Sequence, residues 1–230
     1  MKKLTLVILA ICISLATYSQ EKAAIRGVFT KESGDTTIIW MFADGYCSKT
    51  AYRDQTYIST LGGPFSYTAG NLAVQVEYAD ADSSLVGQRK NFPLTITATG
   101  AQEGDGISWK KADAKSQPLD GLWRITGRKQ GDKMGTITRG DRKTIKLLVD
   151  GYFQWIAINP AVKGFYGTGG GHYTFQDGKY SEHILFFSRD NSRVGAHLSF
   201  DGKLEGGDWH HSGKSSKGDP IYEIWSRDNK

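Results

Sequence analysis

Cysteine is scarce in this chain. Only two of the 230 residues are cysteines, Cys12 and Cys47. Cys12 lies in an apolar N-terminal stretch that we expect to be removed, which leaves a single cysteine and no intramolecular disulfide. Cys47 lies in a predicted strand, where a small, partly buried side chain is favoured over a reactive thiol. The mature chain is therefore expected to fold without a disulfide.

Clustered positive charge is also missing. The formal net charge is +5, and the basic residues are scattered along the chain. Nucleic-acid-binding proteins usually combine a basic stripe with a recognisable module. Neither is present, so no binding to DNA or other nucleic acid is predicted, and the mild basicity reflects ordinary surface solvation.

No signature of catalysis is found either, and we predict a protein that is not an enzyme and uses no cofactor.

A long hydrophobic run occurs only at the N-terminus. Lys2 and Lys3 precede an apolar stretch over residues 4–16, and a short segment of small and polar residues ends at Ser19. This order is typical of a secretory signal peptide. The run is shorter than the roughly 20 residues that span a bilayer. We therefore predict a signal peptide over residues 1–19 and a secreted or periplasmic protein that is not an integral membrane protein. A retained N-terminal anchor is the alternative.

Helical periodicity is absent as well. Apolar residues do not recur at helical spacing over any helix-length window, whereas β-branched and aromatic residues dominate the segments between turns. Asp-Gly pairs, which favour tight turns between strands, begin at Asp44, Asp150, Asp177 and Asp201. These patterns predict an all-β protein.

The chain contains an internal duplication. Asp150-Gly151-Tyr152 repeats Asp44-Gly45-Tyr46, and Ser192-Arg193-Val194-Gly195 aligns with Ser84-Leu85-Val86-Gly87. Self-similarity of this kind indicates two copies of one structural unit.

We place the two repeats at residues 20–116 and 117–230. Eight candidate strands in the second repeat predict a small antiparallel up-and-down barrel, because closure removes the exposed edges of a sheet. The first repeat is shorter and more divergent, with no clear eighth strand. The predicted fold is therefore two such barrels in tandem.

The ends of the second repeat resemble the lipocalin and calycin pattern. Gly121-Leu122-Trp123 lies in its first strand, and Ile224-Trp225-Ser226-Arg227 lies in its last. In those proteins a tryptophan of the first strand packs against a basic side chain near the end of the barrel. The resemblance therefore implies that Trp123 and Arg227 are in contact where the barrel closes.

More closely, the second repeat resembles an uncharacterised family of secreted bacterial lipocalin-like domains, and the first repeat does so more weakly. The matching residues are Asp150-Gly151-Tyr152-Phe153, Gly169-Gly170-Gly171, Tyr173, Glu182-His183-Ile184, Val194-Gly195, Trp209 and Ile224-Trp225. The resemblance implies a fold and export but no reaction, because the family is named for its shape. Compared with larger lipocalins, the repeats are shorter and lack a disulfide and an evident C-terminal helix, which argues against a roomy ligand cup.

All histidines lie in the second repeat: His172, His183, His197, His210 and His211. Alternate strand residues share a face, so His210 and His211 point to opposite sides. None of the spacings typical of zinc sites is present, and no metal site is predicted. A metal-dependent hydrolase that uses Glu182 and histidines is the least favoured function.

The glycine run at 169–171 lacks the features of a phosphate-binding loop and is expected to permit a bend or bulge.

Glu182 is predicted to face the interior of the second barrel. Its equivalent in the first repeat, Val74, shares a strand face with Val76. A buried carboxylate is costly unless it is paired, so we expect Glu182 to meet Arg227 or His211. Its role is either that of a structural ion pair or that of a polar anchor for a ligand.

The predicted ligand-binding residues are Trp155, Tyr173, Glu182, Trp209 and His211. Large aromatic side chains at strand spacing usually form core, but Trp155 and Trp209 are placed to line a lumen and stack on a ring of a ligand. The leading prediction is thus an exported, non-enzymatic binding protein for a small apolar or amphipathic ligand held in the second barrel.

The alternative function is a structural or protein-interaction module of the cell envelope. It depends on Leu185 and Phe187, which are predicted to lie on an outer face, where apolar rows mark interfaces. Their partner would be the first barrel or a second copy of the chain. A lumen large enough for a ligand favours the binding protein, whereas a lumen filled by side chains favours the interaction module.

Overall fold

A computed structural model describes residues 25–104, 106–113, 115–215 and 218–228. It confirms the prediction of an all-β protein built from two tandem antiparallel barrels. The predicted signal peptide, including Cys12, lies outside the described residues. Within the described ranges, no helix has the length and apolar character needed to cross a bilayer.

The first barrel is a closed ring of eight strands. The strands in this half of the chain are β1 (Gly27–Ser33), β2 (Thr36–Ala43), β3 (Tyr46–Arg53), β4 (Thr56–Thr68), β5 (Asn71–Gln75), β6 (Tyr78–Ala79), β7 (Arg89–Ile96), β8 (Gly100–Glu103) and β9 (Ser108–Lys111). The ring follows the order β1-β2-β3-β4-β5-β7-β8-β9, with β9 pairing back onto β1, and the short β6 pairs with β4. The expectation of no clear eighth strand is therefore wrong. The sequence of β9, SWKK, is too short and too polar to indicate a strand.

The second barrel has the same ring, and several of its strands are longer than their equivalents in the first barrel. They are β10 (Gly121–Gln130), β11 (Lys133–Thr136), β12 (Lys143–Val149), β13 (Tyr152–Asn159), β14 (Gly164–Gln176), β15 (Lys179–Phe187), β16 (His197–Glu205), β17 (Asp208–Lys214) and β18 (Pro220–Arg227). The ring follows the order β10-β12-β13-β14-β15-β16-β17-β18 and closes from β18 to β10, and β11 forms a hairpin with the far end of β10.

The duplication extends to local geometry. A single-turn 3-10 helix occurs at equivalent places in both halves, at Ser83–Leu85 and Asn191–Arg193. The residue before each, Asp82 or Asp190, accepts a hydrogen bond on its side chain from the backbone N–H two residues later. Shared capping geometry of this kind supports an origin of the two barrels from one unit.

Glycine at one point of β14 lets two strands approach closely. The pairing of β14 with β15 shifts register between Gly170 and Gly171, as expected for the glycine run. A Cβ atom on Gly171 would lie 2.0 Å from the carbonyl oxygen of His183. Gly63 is the equivalent residue of the first barrel, and a Cβ atom on it would lie 1.9 Å from the carbonyl oxygen of Gln75. Only glycine fits at either position, so both barrels depend on the same bend.

The second barrel closes through β10 and β18. Trp123 and Arg227 are paired in register, and the guanidinium carbon of Arg227 lies 3.9 Å from the centre of the indole ring. Arg227 Nη1 also donates a hydrogen bond of 2.6 Å to the carbonyl oxygen of Asp120. The contact implied by the lipocalin resemblance is therefore present.

The two barrels pack against each other through a shared apolar core. It contains Val28, Ile39, Met41, Ala43, Tyr46 and Tyr78 of the first barrel and Leu122, Ile145, Leu147, Val149, Ile156 and Ile158 of the second. The contacts are reciprocal: Tyr78 stacks on Phe165, and their repeat equivalents, Phe186 and Tyr57, pack in the same way. The interface therefore has approximate two-fold symmetry, like that of a homodimer.

A buried polar network lies within this interface. Gln154 Nε2 donates hydrogen bonds to Thr60 Oγ1 at 3.2 Å and to Thr168 Oγ1 at 2.9 Å, and Thr50 Oγ1 donates to Gln154 Oε1 at 3.2 Å. Buried polar groups are costly when they lack partners. The network therefore favours one alignment of the barrels over others.

Candidate functional site: the cavity of the second barrel

The lumen of the second barrel contains an open cavity of about 330 Å³. Its apolar lining consists of Trp155, Ala157, Ile184, Phe187, Leu198, Phe200, Ile221 and Trp225. Its polar lining consists of Arg128, Thr144, Lys146, Glu182, His211, Ser215 and Glu223. A mostly apolar wall with a few convergent polar groups is typical of small-molecule sites.

Strand alternation explains why charged side chains lie inside. In β12, Thr144 and Lys146 face the cavity, whereas Ile145 and Leu147 lie in the core between the barrels. A barrel strand with one solvated face would direct its apolar residues inward. Because both faces of β12 are covered, its apolar residues form the interface and Lys146 is directed into the lumen.

Lys146 and Glu182 form a buried ion pair. Lys146 Nζ lies 3.0 Å from Glu182 Oε1, and the two side chains are only 7% and 6% exposed. The ammonium also lies 4.8, 5.1 and 5.2 Å from the ring centres of Tyr180, Trp209 and Trp225. Aromatic faces attract cations, so the Lys146 charge is compensated both by a carboxylate and by aromatic rings.

A second ion pair borders the same cavity. Arg128 Nη2 donates a hydrogen bond of 2.6 Å to Glu223 Oε1, and Trp225 Nε1 donates one of 3.1 Å to Glu223 Oε2. Burial raises the pKa of Glu223, but the His211 ring and the Lys146 and Arg128 cations outweigh burial and lower that pKa to about 2. Among the described residues, two basic and two acidic side chains therefore line the cavity as two ion pairs.

His211 borders the cavity with unsatisfied ring nitrogens. The residue is 2% exposed, and its ring centre lies 4.3 Å from that of Phe200. Nδ1 lies 3.4 Å from Glu223 Oε2, yet neither ring nitrogen has a hydrogen-bond partner among the described residues. Burial and the nearby Lys146 cation lower the pKa of His211, so the ring is neutral at neutral pH. Native proteins contain few buried polar groups without partners.

Only part of the predicted ligand-binding set borders this cavity. Trp155, Glu182 and His211 do so. Tyr173 instead donates a hydrogen bond from its hydroxyl to Asp120, near the Arg227 contact. Trp209 is fully buried and packs edge-on against neighbouring rings of the core. Neither residue therefore lines the cavity of the second barrel, although Tyr173 borders a separate cavity that also includes Gln117 and Asp150.

Glu182 faces the interior, as its first-repeat equivalent indicated, but its partner differs from those expected. The ion pair is made with Lys146. Arg227 lies on the Trp123 ring instead, and His211 Nδ1 approaches Glu223. The sequence pattern thus predicted the direction of the side chain and not the residue opposite to it.

The prediction that Phe187 lies on an outer face is wrong. Phe187 borders the cavity, with its ring centre 5.4 Å from that of Trp155. The register shift between β14 and β15 leaves Leu185 out of the residue pairing, so the alternation of faces changes after it. Phe186 points outward in its place and stacks on Tyr52 of the first barrel, with ring centres 5.5 Å apart.

Lys146 and Glu223 are site residues that the sequence reasoning missed. A signal for each exists in retrospect. Lys146 occupies the position of Trp40, an interior aromatic residue of the first barrel, and Glu223 shares a strand face with the buried Trp225. Comparison of the repeats at these positions would have placed both side chains inside.

The remaining histidines lie away from the cavity. His172, His183 and His197 are paired across three neighbouring strands, and the rings of His183 and His197 stack with centres 4.3 Å apart. His210 Nδ1 lies 2.9 Å from the hydroxyl oxygen of Tyr222. In the described ranges, no group of three or more His, Cys, Asp or Glu side chains is arranged to hold a metal ion.

The first barrel has a cavity of about 300 Å³ with different chemistry. Lys49 stands where the second barrel has Trp155, and its Nζ lies 4.4 Å from the Trp40 ring centre and 3.4 Å from Glu103 Oε1. Val74, which is fully buried, takes the place of Glu182. The two lumens have thus diverged, and only the second contains the histidine and the two carboxylates described above.

The fold and the cavity define a tandem antiparallel β-barrel protein whose second barrel encloses a candidate ligand site. Among protein-family models, none matches the chain. Among curated proteins, none matches it either.

Proposed function

We propose that the protein is an exported, non-enzymatic binding protein of lipocalin-like type that holds a small apolar or amphipathic molecule in the second barrel. The observation that carries this proposal is the open cavity of about 330 Å³ with an aromatic and aliphatic wall. Export is supported by the signal-peptide pattern of residues 1–19. The lipocalin-like assignment is supported by the contact between Trp123 and Arg227.

Affinity in such a cavity would come mainly from removing apolar surface from water. Each buried methylene contributes about 0.8 kcal/mol, or about fourfold in affinity. A homologous series of ligands should therefore bind progressively tighter until the cavity is filled. The His211 ring and the Lys146–Glu182 pair lie on the polar side of the cavity, where one end of the ligand would make its polar contacts.

A cavity-blocking variant with a matched control tests the proposal. Ala157 borders the cavity of the second barrel, and Ala51, its repeat equivalent, borders that of the first. Both are replaced by tryptophan in the full chain, and each variant is titrated with the neutral fluorescent probe N-phenyl-1-naphthylamine. The proposal predicts that Ala157→Trp loses probe binding while Ala51→Trp keeps it. Equal binding by the wild type and Ala157→Trp would contradict the proposal.

The protein-interaction role has less support. Its motivation was an outer apolar row containing Leu185 and Phe187. Phe187 borders the cavity, and the outward-facing Phe186 is already covered by Tyr52 of the first barrel. Both phenylalanines of this strand therefore pack within the chain, one at the cavity and one against the first barrel.

A further inference from the structure

We propose that the ligand of the second barrel is an uncharged amphiphile whose polar end donates a hydrogen bond to His211, as an alcohol or a phenol does. This inference rests on the proposed binding function and adds the chemical class of the ligand. It excludes carboxylates and ammonium compounds as the preferred ligands.

Each charged residue that lines the cavity within the described ranges is already ion-paired. The Lys146 ammonium is paired with Glu182 at 3.0 Å, and Arg128 is paired with Glu223 at 2.6 Å. A charged head group would have to enter without a counter-ion or break one of these pairs. Burial of an unpaired charge is far more costly than burial of a neutral hydroxyl that forms a hydrogen bond. The cavity therefore favours a neutral head group.

His211 supplies the hydrogen-bond acceptor. The ring is neutral, because burial and the Lys146 cation lower its pKa. Nδ1 faces Glu223 Oε2 at 3.4 Å, so the single ring proton is favoured on Nδ1, beside the carboxylate. Nε2 then keeps its lone pair and has no partner among the described residues. Nε2 is shielded from solvent, so a small local shift would bring a ligand hydroxyl into contact with this buried acceptor and satisfy it.

The wall of the cavity suits the apolar part of such a molecule. The rings of Trp155 and Phe187 meet edge to face, with centres 5.4 Å apart, and Ile184 and Leu198 extend the apolar lining. An alkyl chain or an aromatic ring placed here would be removed from water while its hydroxyl points toward His211.

The first barrel lacks this arrangement. The position of His211 is occupied by Glu103, which accepts a hydrogen bond of 3.1 Å from Trp109 Nε1 and pairs with Lys49. No neutral acceptor takes the place of the histidine in that lumen. The proposed selectivity therefore belongs to the second barrel alone.

Four ligands of similar size test the inference by isothermal titration calorimetry on the full chain at neutral pH. They are 1-octanol, its isomer 1-methoxyheptane, octanoate and octylammonium. The ether has no hydrogen-bond donor, so its comparison with the alcohol requires no mutation. We expect 1-octanol to bind about tenfold tighter than the ether, the effect of one buried hydrogen bond. We expect it to bind at least about a hundredfold tighter than either ion.

A variant pair assigns the effect to His211. His211→Phe preserves an aromatic ring beside Phe200 and removes both nitrogens, whereas His210→Phe changes the neighbouring histidine that contacts Tyr222. The preference for the alcohol over the ether should disappear in His211→Phe and persist in His210→Phe. Circular dichroism verifies that both variants are folded.

Several outcomes would overturn the inference. Octanoate or octylammonium binding as tightly as 1-octanol would refute the neutral head group and leave the binding function standing. An ether that binds as tightly as the alcohol would refute the hydrogen bond to His211. Absence of binding by all four ligands would refute the proposed function itself.

Discussion

Lys146 of β12 and Glu182 of β15 are ion-paired across the lumen of the second barrel, although their strands are not neighbours in the sheet. The pair connects two sides of the barrel. Since both side chains are almost fully buried, it is also the place where a single substitution should change stability most clearly.

Replacing one partner of this pair should be strongly destabilising. Glu182→Gln leaves the Lys146 ammonium buried without its counter-ion, and breaking a buried pair typically costs about 3–5 kcal/mol. Urea unfolding of the wild type and the variant measures the difference. A change below about 1 kcal/mol would contradict a structural role for the pair and would favour a role of Glu182 as a ligand anchor.

Two controls make this measurement specific. The double variant Lys146→Met/Glu182→Leu removes both charges together and should be close to neutral in stability, because apolar replacement of a buried pair is often tolerated. Asp201→Asn breaks the exposed pair of Asp201 with Lys179, whose side chains are 69% and 60% exposed. That loss should cost no more than about 1 kcal/mol.

Acidification should destabilise the protein through His211. Its pKa is lowered in the folded state by burial and by Lys146, so the unfolded chain binds a proton at a higher pH than the folded chain does. The contribution of His211 to the free energy of unfolding is complete above the pKa of about 6.5 that the residue has in the unfolded chain, and it is lost as the pH falls below that value. Between pH 6.5 and 5.5 the loss from this residue should not exceed about 1.4 kcal/mol.

Urea unfolding at pH 7.5 and 5.5 tests this linkage. The wild type should lose more stability over this interval than His211→Phe, while His210→Phe should behave like the wild type. Equal losses in the wild type and His211→Phe would contradict a lowered pKa of His211. The groups that face its ring are Lys146, Glu182 and Glu223. Glu223, whose pKa is lowered to about 2, contributes stability that is lost at more acidic pH.

The strand pattern and the duplication were sufficient to predict the fold. Asp-Gly turns and eight candidate strands in one repeat indicated the barrel, and Trp123 and Arg227 indicated how it closes. The eighth strand of the first barrel escaped detection, because Ser108–Lys111 is four residues long and has Trp109 as its only large apolar residue.

The polar contents of the lumen could not be predicted in the same way. In β12 the apolar residues Ile145 and Leu147 face the other barrel. The rule that the apolar face of a strand lines the barrel interior therefore fails for this strand, and it places Lys146 outside the lumen. Phe187 was misplaced because alternation assumes unbroken pairing, and the strand is bulged at Leu185. Both errors arise from tertiary context that a single strand does not encode.

Separation of the two barrels should expose an apolar face. A chain of residues 117–230 would lose the cover over Leu147, Ile156 and Ile158. Because the interface has approximate two-fold symmetry, we expect the isolated second barrel to form a homodimer through this face. Size-exclusion chromatography with light scattering measures its mass. Ile156→Lys should weaken the association, and a stable, folded monomer of the unmutated fragment would contradict the prediction.

Ligand binding is therefore best tested in the full chain and not by deletion of the first barrel. The chain has six tryptophans, and each indole N–H gives a separate reporter in a ¹H–¹⁵N correlation spectrum. Trp155 and Trp225 border the cavity of the second barrel, whereas Trp40 and Trp109 lie in the core of the first. Titration with 1-octanol should shift the Trp155 and Trp225 indole signals in a saturable way and leave those of Trp40 and Trp109 unchanged. Shifts confined to the first barrel, or no saturable shift of any indole signal, would contradict binding in the second barrel.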